Sequence, residues 1–173
     1  MSKSGWEVEG KLLRGEDFSG ESFAGGTLRD CVCESCNFSN ADFTDTKLQK
    51  VLFRECKLLG VDFSKCCKFL FKIAFENCFI SQTVFSQLDL SGASFAGSRI
   101  IECDFLDTNL RKCRFDGADL SGSIFRNSDL REASFVGANS YAISPSANRL
   151  KGAKFSFPEA LSLLHEFGVE IVY

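Results

Sequence analysis

The residues best equipped for chemistry in this 173-residue chain are its nine cysteines. Cys31-x-Cys33-x-x-Cys36 and the adjacent Cys66-Cys67 have the close spacings with which thiolates grip zinc. The one histidine, His165, could serve a serine or cysteine nucleophile as a base, but a triad also needs an orienting group and an oxyanion hole. The 14 glycines could in principle line a phosphate loop. Each possibility depends on what holds the residues in place, and here a counting rule decides.

From Leu13 every fifth residue to Phe63 is Leu or Phe, with Cys33 the one exception. After a seven-residue step to Leu70 the count resumes, and every fifth residue through Phe135 is Phe, Leu or Ile. Neither a helix (period 3.6) nor a flat strand (period 2) gives a strict five, whereas a fixed short period marks a solenoid. From residue 93 to 138 the position two before each centre is small, as at Ala93, Ser98, Cys103, Thr108, Cys113 and Ala118. Small beside large implies two inward positions in a narrow tube. Just before the centre stand polar residues such as Asp42, Asp62, Asp89, Asn109 and Asp129. Two after it stands glycine, at Gly92, Gly97, Gly117 and Gly122 among others, which fits a corner needing φ > 0.

This register disposes of most of the chemistry. Cys31, Cys36, Cys56, Cys78, Cys103 and Cys113 fall on the small inward position and Cys33 on a centre, so packing accounts for them as buried hydrophobes. The glycines follow the period, and His165 has no partner named by spacing. No catalytic residue, metal or cofactor is assigned, and no enzyme is expected.

The pattern A-[D/N]-[L/F]-x-x, seen as "ADFTD", "ADLSG" and "ASFAG", resembles the pentapeptide-repeat family over roughly residues 8–155. The resemblance implies an all-β fold, a right-handed quadrilateral β-helix with four pentapeptides and twenty residues per coil. Residues 8–140 would then supply about six and a half coils, a rod of roughly 30 Å at the ~4.8 Å spacing of stacked strands. With that coil, Phe75, Phe95, Phe115 and Phe135 form one internal column and Phe85, Phe105 and Phe125 the opposite one. The expected organisation is a solenoid over 1–155 with a register slip at 64–69, and a terminal segment over 156–173.

At the slip, "SKCCKFL" inserts two residues, and Lys68 falls where a centre was due. A bulge at one corner and a protruding functional loop are both open. Phe69, Phe71 and Phe79 lie one residue off the centres and should point outward beside Lys65, Lys68 and Lys72, as a candidate partner surface. In the terminal segment, Ser156-Phe157-Pro158-Glu159 reads as a capping box, 160–167 has helical spacing, Gly168 is a stop, and 169–173 reads as a short strand. An open solenoid end must be covered. Trp6 and Val8 should start or plug the first coil. The terminal segment resembles the cap that, in the quinolone-resistance branch of the family, pairs two chains end to end. Its apolar residues Phe157, Leu161, Leu164, Phe167, Val169 and Ile171 are the candidate dimer interface; covering the rod's own end needs no partner.

Net charge is −3, so the basic footprint of a direct nucleic-acid binder is lacking. No run of 18 apolar residues could span a membrane. The N-terminus lacks a signal-peptide core, and reduced thiols suit a cytoplasmic protein. Residues 16–45 carry seven acids against one base, whereas 47–72 carry seven bases against two acids. The resemblance implies a non-catalytic protein-binding rod. Family members that protect DNA gyrase from quinolones are acidic dimeric rods resembling B-DNA in width and charge. Asp17, Glu21, Asp42 and Asp45 are the acids that would meet gyrase here. The basic band at 47–72 and the reduction of that branch's protruding loops to a two-residue slip keep a second reading open, a scaffold for another cytoplasmic protein.

Overall fold

The computed structural model describes residues 5–170 and 172. The chain winds as a right-handed β-helix of about seven turns. Coils pair in parallel twenty residues apart, and twenty-two across the slip: Val8 faces Leu28, Leu28 faces Leu48, Leu13 faces Cys33, Phe105 faces Phe125, and Phe53 faces Phe75. The five-residue centres are the core, and Phe38, Phe53, Phe63, Phe95 and Phe115 are sealed from solvent. Phe53, Phe75, Phe95, Phe115, Phe135 and Phe155 stack face to face in one column, with centroids 4.9–5.2 Å apart. A second column holds Phe23, Phe43, Phe63, Phe85, Phe105 and Phe125 at 4.8–5.4 Å. Rings of the two columns meet edge to face, as Phe95 meets Phe105 at 83°, so quadrupoles attract across the columns.

Where the inward position two before a centre carries a thiol or hydroxyl, it donates back to the preceding coil. Cys36 Sγ, Thr46 Oγ1, Cys56 Sγ, Thr108 Oγ1 and Ser123 Oγ each donate to a carbonyl 23 residues earlier, at 2.7–3.5 Å. A thiol or hydroxyl thereby ties one coil to the last inside an apolar tube, where an unpaired polar group would be costly. The residue before the centre closes the corner: Asp42 Oδ1 accepts from Thr44 N–H, and Asp119 Oδ1 from Ser121 N–H, at 3.0 and 3.1 Å. The corner residue is left-handed as the glycines suggested, with φ 68° at Gly117, but also 57° at Lys112 and 54° at Glu102. A side chain there costs about 1–2 kcal/mol. The backbone ladder offsets it, since Lys112 N–H still reaches Arg131 C=O at 3.0 Å.

Both ends are plugged. Trp6 packs against Phe18 and Phe23, with centroids at 5.7 and 4.8 Å. A Cβ on Gly26 would lie 2.8 Å from the Trp6 carbonyl, so that inward site admits only glycine. At the other end Tyr141 packs on Phe135 and Phe155, and a 3-10 helix, Glu159–Phe167, sets Leu163 against the core. The expected capping box does not form. Pro158 occupies the cap, and the Ser156 hydroxyl accepts instead from Gly137 N–H at 2.8 Å. Solenoid pairing claims Ser156 before the helix can. Gly168 ends the helix at φ 63° as expected. Residues 169, 170 and 172 are irregular where a strand was expected; Ile171 and Tyr173 lie outside the described residues.

The stacked columns predict that Phe95→Ala, in mid-column, will lower stability by about 3–5 kcal/mol through the cavity it leaves. Urea unfolding followed by circular dichroism measures the loss.

Candidate functional site

The cysteines sit where the register placed them, and Cys66 joins the seven: all but Cys67 are buried. Among the described residues no three His, Cys, Asp or Glu are grouped to hold a metal. Burial pushes the thiols of Cys33, Cys66 and Cys113 up, and that of Cys103 to about 12. They are protonated packing groups and poor nucleophiles.

Charge is organised between coils. On one face Arg14, Glu34, Arg54 and Glu76 alternate up the rod, with contacts of 3.1, 4.0 and 3.1 Å. Glu9 and Arg29 meet at 3.7 Å, and Asp30 and Lys50 at 3.4 Å. The basic band is thus partly neutralised by the acidic one before it, a pairing invisible while each block was read separately. Among the described residues Asp17, Glu21, Asp42 and Asp45 have no cation within salt-bridge distance. Ser19 holds the Asp17 carboxyl below its ordinary range, and Thr44 does the same for Asp42, so both remain ionised on the exposed N-terminal coils.

The register slip is where structure and sequence part most. Strands Lys47–Arg54 and Cys67–Glu76 pair with register shifts between Lys47/Gln49 and Gln49/Val51. The extra residues form a knuckle at 68–71. Leu70, counted as an inward centre, is 65% exposed with φ 55°, next to Phe69 at 69%. Phe71, expected outside, instead packs half-buried against the core. Two extra residues let the chain choose which apolar side chain fills the vacated column, and the larger ring goes in. Phe79 belongs to another face, on strand Phe79–Ser81 beside Lys57–Leu59, with Arg99 over its ring at 5.2 Å. The three phenylalanines therefore do not form one patch. Beside the knuckle lies a groove of about 840 Å³ lined by Leu70, Phe71, Leu88, Leu90, Lys68 and Lys72.

The terminal segment leaves an apolar ridge: Phe157, Leu164, Phe167 and Val169 are exposed, whereas Leu161 is half-buried. Its helix is pinned by Glu166, which accepts from the hydroxyls of Ser144 and Ser146 and from Ser146 N–H at 2.9 Å. No periodicity announced that clamp, because it joins a turn and a helix outside the repeat.

Models of the pentapeptide repeat region and of pentapeptide repeats (8 copies) match the chain, at residues 68–143 and at 17–54 and 36–67 respectively. Two trypsin-treated variants of QnrB1, a plasmid-mediated fluoroquinolone resistance protein, are similar in structure. One has a TM-score of 0.75 at 20% identity and the other 0.69 at 19%; each match covers 96% of this chain and 90% of the other. At that identity the likeness is one of fold. No curated protein matches the sequence.

Two outcomes follow from this geometry. With an aromatic disulfide reagent at about pH 8, Cys67 should react promptly and the buried thiols only after denaturation; fast reaction of several thiols in the native protein would contradict a packing role. The hydrogen bonds from Ser144 and then Ser146 hold the Glu166 carboxyl below its ordinary 4.5. A depressed folded value stabilises above the unfolded pKa and is lost as pH falls through the folded one. The Ser146 amide resonance should therefore shift as pH drops below 4.5, and Glu166→Gln should remove that titration.

Proposed function

The chain belongs to the pentapeptide-repeat family, and on that premise we propose that it is a non-catalytic protein-binding rod, engaging a type II topoisomerase of the DNA gyrase kind by DNA mimicry. The observation that carries this reading is the set of acids with no cation within salt-bridge distance among the described residues, Asp17, Glu21, Asp42 and Asp45, on the N-terminal coils of the rod. The cross-coil ladders support it by removing much of the opposing charge of Arg54 and Lys50. The fold likeness to QnrB1, described as a fluoroquinolone resistance protein, suggests the same class of target and a role in quinolone susceptibility. This reading entails a cytoplasmic location, and the exposed ridge of Phe157, Leu164, Phe167 and Val169 is the surface through which two rods would join as a homodimer.

A second reading, a scaffold for a different cytoplasmic protein, is favoured by the Phe69–Leu70 knuckle, an apolar projection with no counterpart in DNA. One assay separates the two. If the acids occupy a DNA groove, micromolar protein inhibits gyrase supercoiling or relieves quinolone poisoning, and the effect weakens as salt rises. Charge reversal of Asp17, Glu21, Asp42 and Asp45 together abolishes it, whereas Lys57→Glu strengthens it. Absence of any effect on gyrase, with or without drug, leaves the scaffold reading.

A further inference from the structure

Parallel coils elsewhere in the rod are laced by their backbones, and the residue before each centre does much of the lacing. Asn109 donates its N–H to Leu88 C=O and accepts from Leu90 N–H, and Asp129 does the same with Thr108 and Leu110, all at 2.8–3.0 Å. Asp89 occupies the equivalent place one coil earlier. Among the described residues, neither its N–H nor its C=O has a backbone partner in the preceding coil, and no backbone hydrogen bond joins 68–74 to 87–93. Bonding resumes at Phe75 N–H to Ser94 C=O, 2.7 Å. The knuckle has pulled the wall open. The 840 Å³ groove is the slit between these two coils, with the backbone N–H and C=O of Asp89 facing it without a backbone partner in the preceding coil.

Two further features qualify the slit as a receptor. Its lining is apolar where the tube wall is parted: Leu70, Phe71, Leu88 and Leu90 contribute, and Leu88 stands where the repeat elsewhere puts a small residue. Its rim is cationic. Lys50 bonds Asp30, but Lys68 and Lys72 have no acid within salt-bridge distance among the described residues. The acids on the rim are already engaged, Glu76 by Arg54 and Asp89 by Ser91 N–H and the Asn109 amide.

We propose that this slit is a strand-acceptor site, which binds an extended segment of a protein partner with carboxylate side chains alternating with apolar ones. The segment's backbone pairs with the free Asp89 edge. Side chains of one parity pack on Leu70 and Phe71 above the buried floor of Leu88 and Leu90, and those of the other meet Lys68 and Lys72. Unpaired backbone donors and acceptors select an extended chain, and the lysines select its charge. The proposal rests on the reading of the rod as a protein-binding module and specifies one form of contact.

The probe is a fluorescent, end-blocked peptide of about six residues alternating glutamate and valine, roughly 20 Å when extended. Anisotropy titration against the full-length protein should give saturable binding. Two control peptides, one N-methylated at alternate residues and one with lysine for glutamate, should bind at least tenfold more weakly. In the protein, Lys68→Glu with Lys72→Glu should weaken binding tenfold or more. Ser91→Trp, which plugs the exposed mouth, should abolish it while thermal unfolding shows the rod intact. Equal affinity for the N-methylated peptide overturns the proposal in favour of a charged apolar patch. No binding at millimolar peptide overturns it outright, as does filling of the slit by a second copy, seen as a dimer by light scattering that Ser91→Trp dissolves. Gyrase inhibition that survives either outcome leaves the parent reading standing; loss of both removes that reading too.

Discussion

Everything in this protein follows from the stacking of one coil on the next, twenty residues apart. A parallel ladder closed around four sides forces every fifth side chain into a tube too narrow for anything but a column. Phe95 can touch Phe75 and Phe115 only because all three corners repeat in phase. The buried donors obey the same constraint. Cys56 and Thr108 each find a carbonyl 23 residues back, so the small position supplies both room and a polar tie. A solenoid of this kind is stabilised by neighbours alone, which makes any break in the ladder a local event with local consequences.

The one such break in mid-rod generates most of what is distinctive on the surface. Two extra residues near Leu70 exchange a regular corner for an exposed apolar knuckle, a ring turned inward at Phe71, and a parted wall at Asp89. The core stays continuous because Leu88 and Ile73, larger than the repeat elsewhere allows, are buried on either side. Electrostatics follow stacking as well. Arg14, Glu34, Arg54 and Glu76 alternate up one face, so acidic and basic blocks of sequence partly cancel in space. The acids outside these ladders, Asp17 and Asp42, lie near the N-terminal end.

The ends obey different physics. There the repeat has no neighbour to pack against, and each closure is improvised: the indole of Trp6 over Phe23, and a short helix clamped by Glu166 to the Ser144–Ser146 turn. Apart from the slit at Asp89, the features this surface offers among the described residues are ridges and charges. These are the means by which proteins recognise other proteins.

The sequence by itself determined the architecture. A strict period of five fixed which side chains turn inward, so the register and the burial of Cys33 and Cys113 could be read directly, and the twenty-residue coil implied by the resemblance to pentapeptide repeats then set the paired Phe columns. It also placed Trp6 at an end and the slip near residue 68. Only the tertiary structure decided what happens where the period lapses. Whether Leu70 or Phe71 turns inward depends on which side chain fills the space left between coils. Whether Ser156 caps a helix depends on Gly137 reaching its hydroxyl first. The cancellation of Lys50 by Asp30, and the opening of the wall at Asp89, depend on neighbours a full coil away. Periodicity is a local rule repeated; competition for a partner twenty residues distant exists only once the coil has closed.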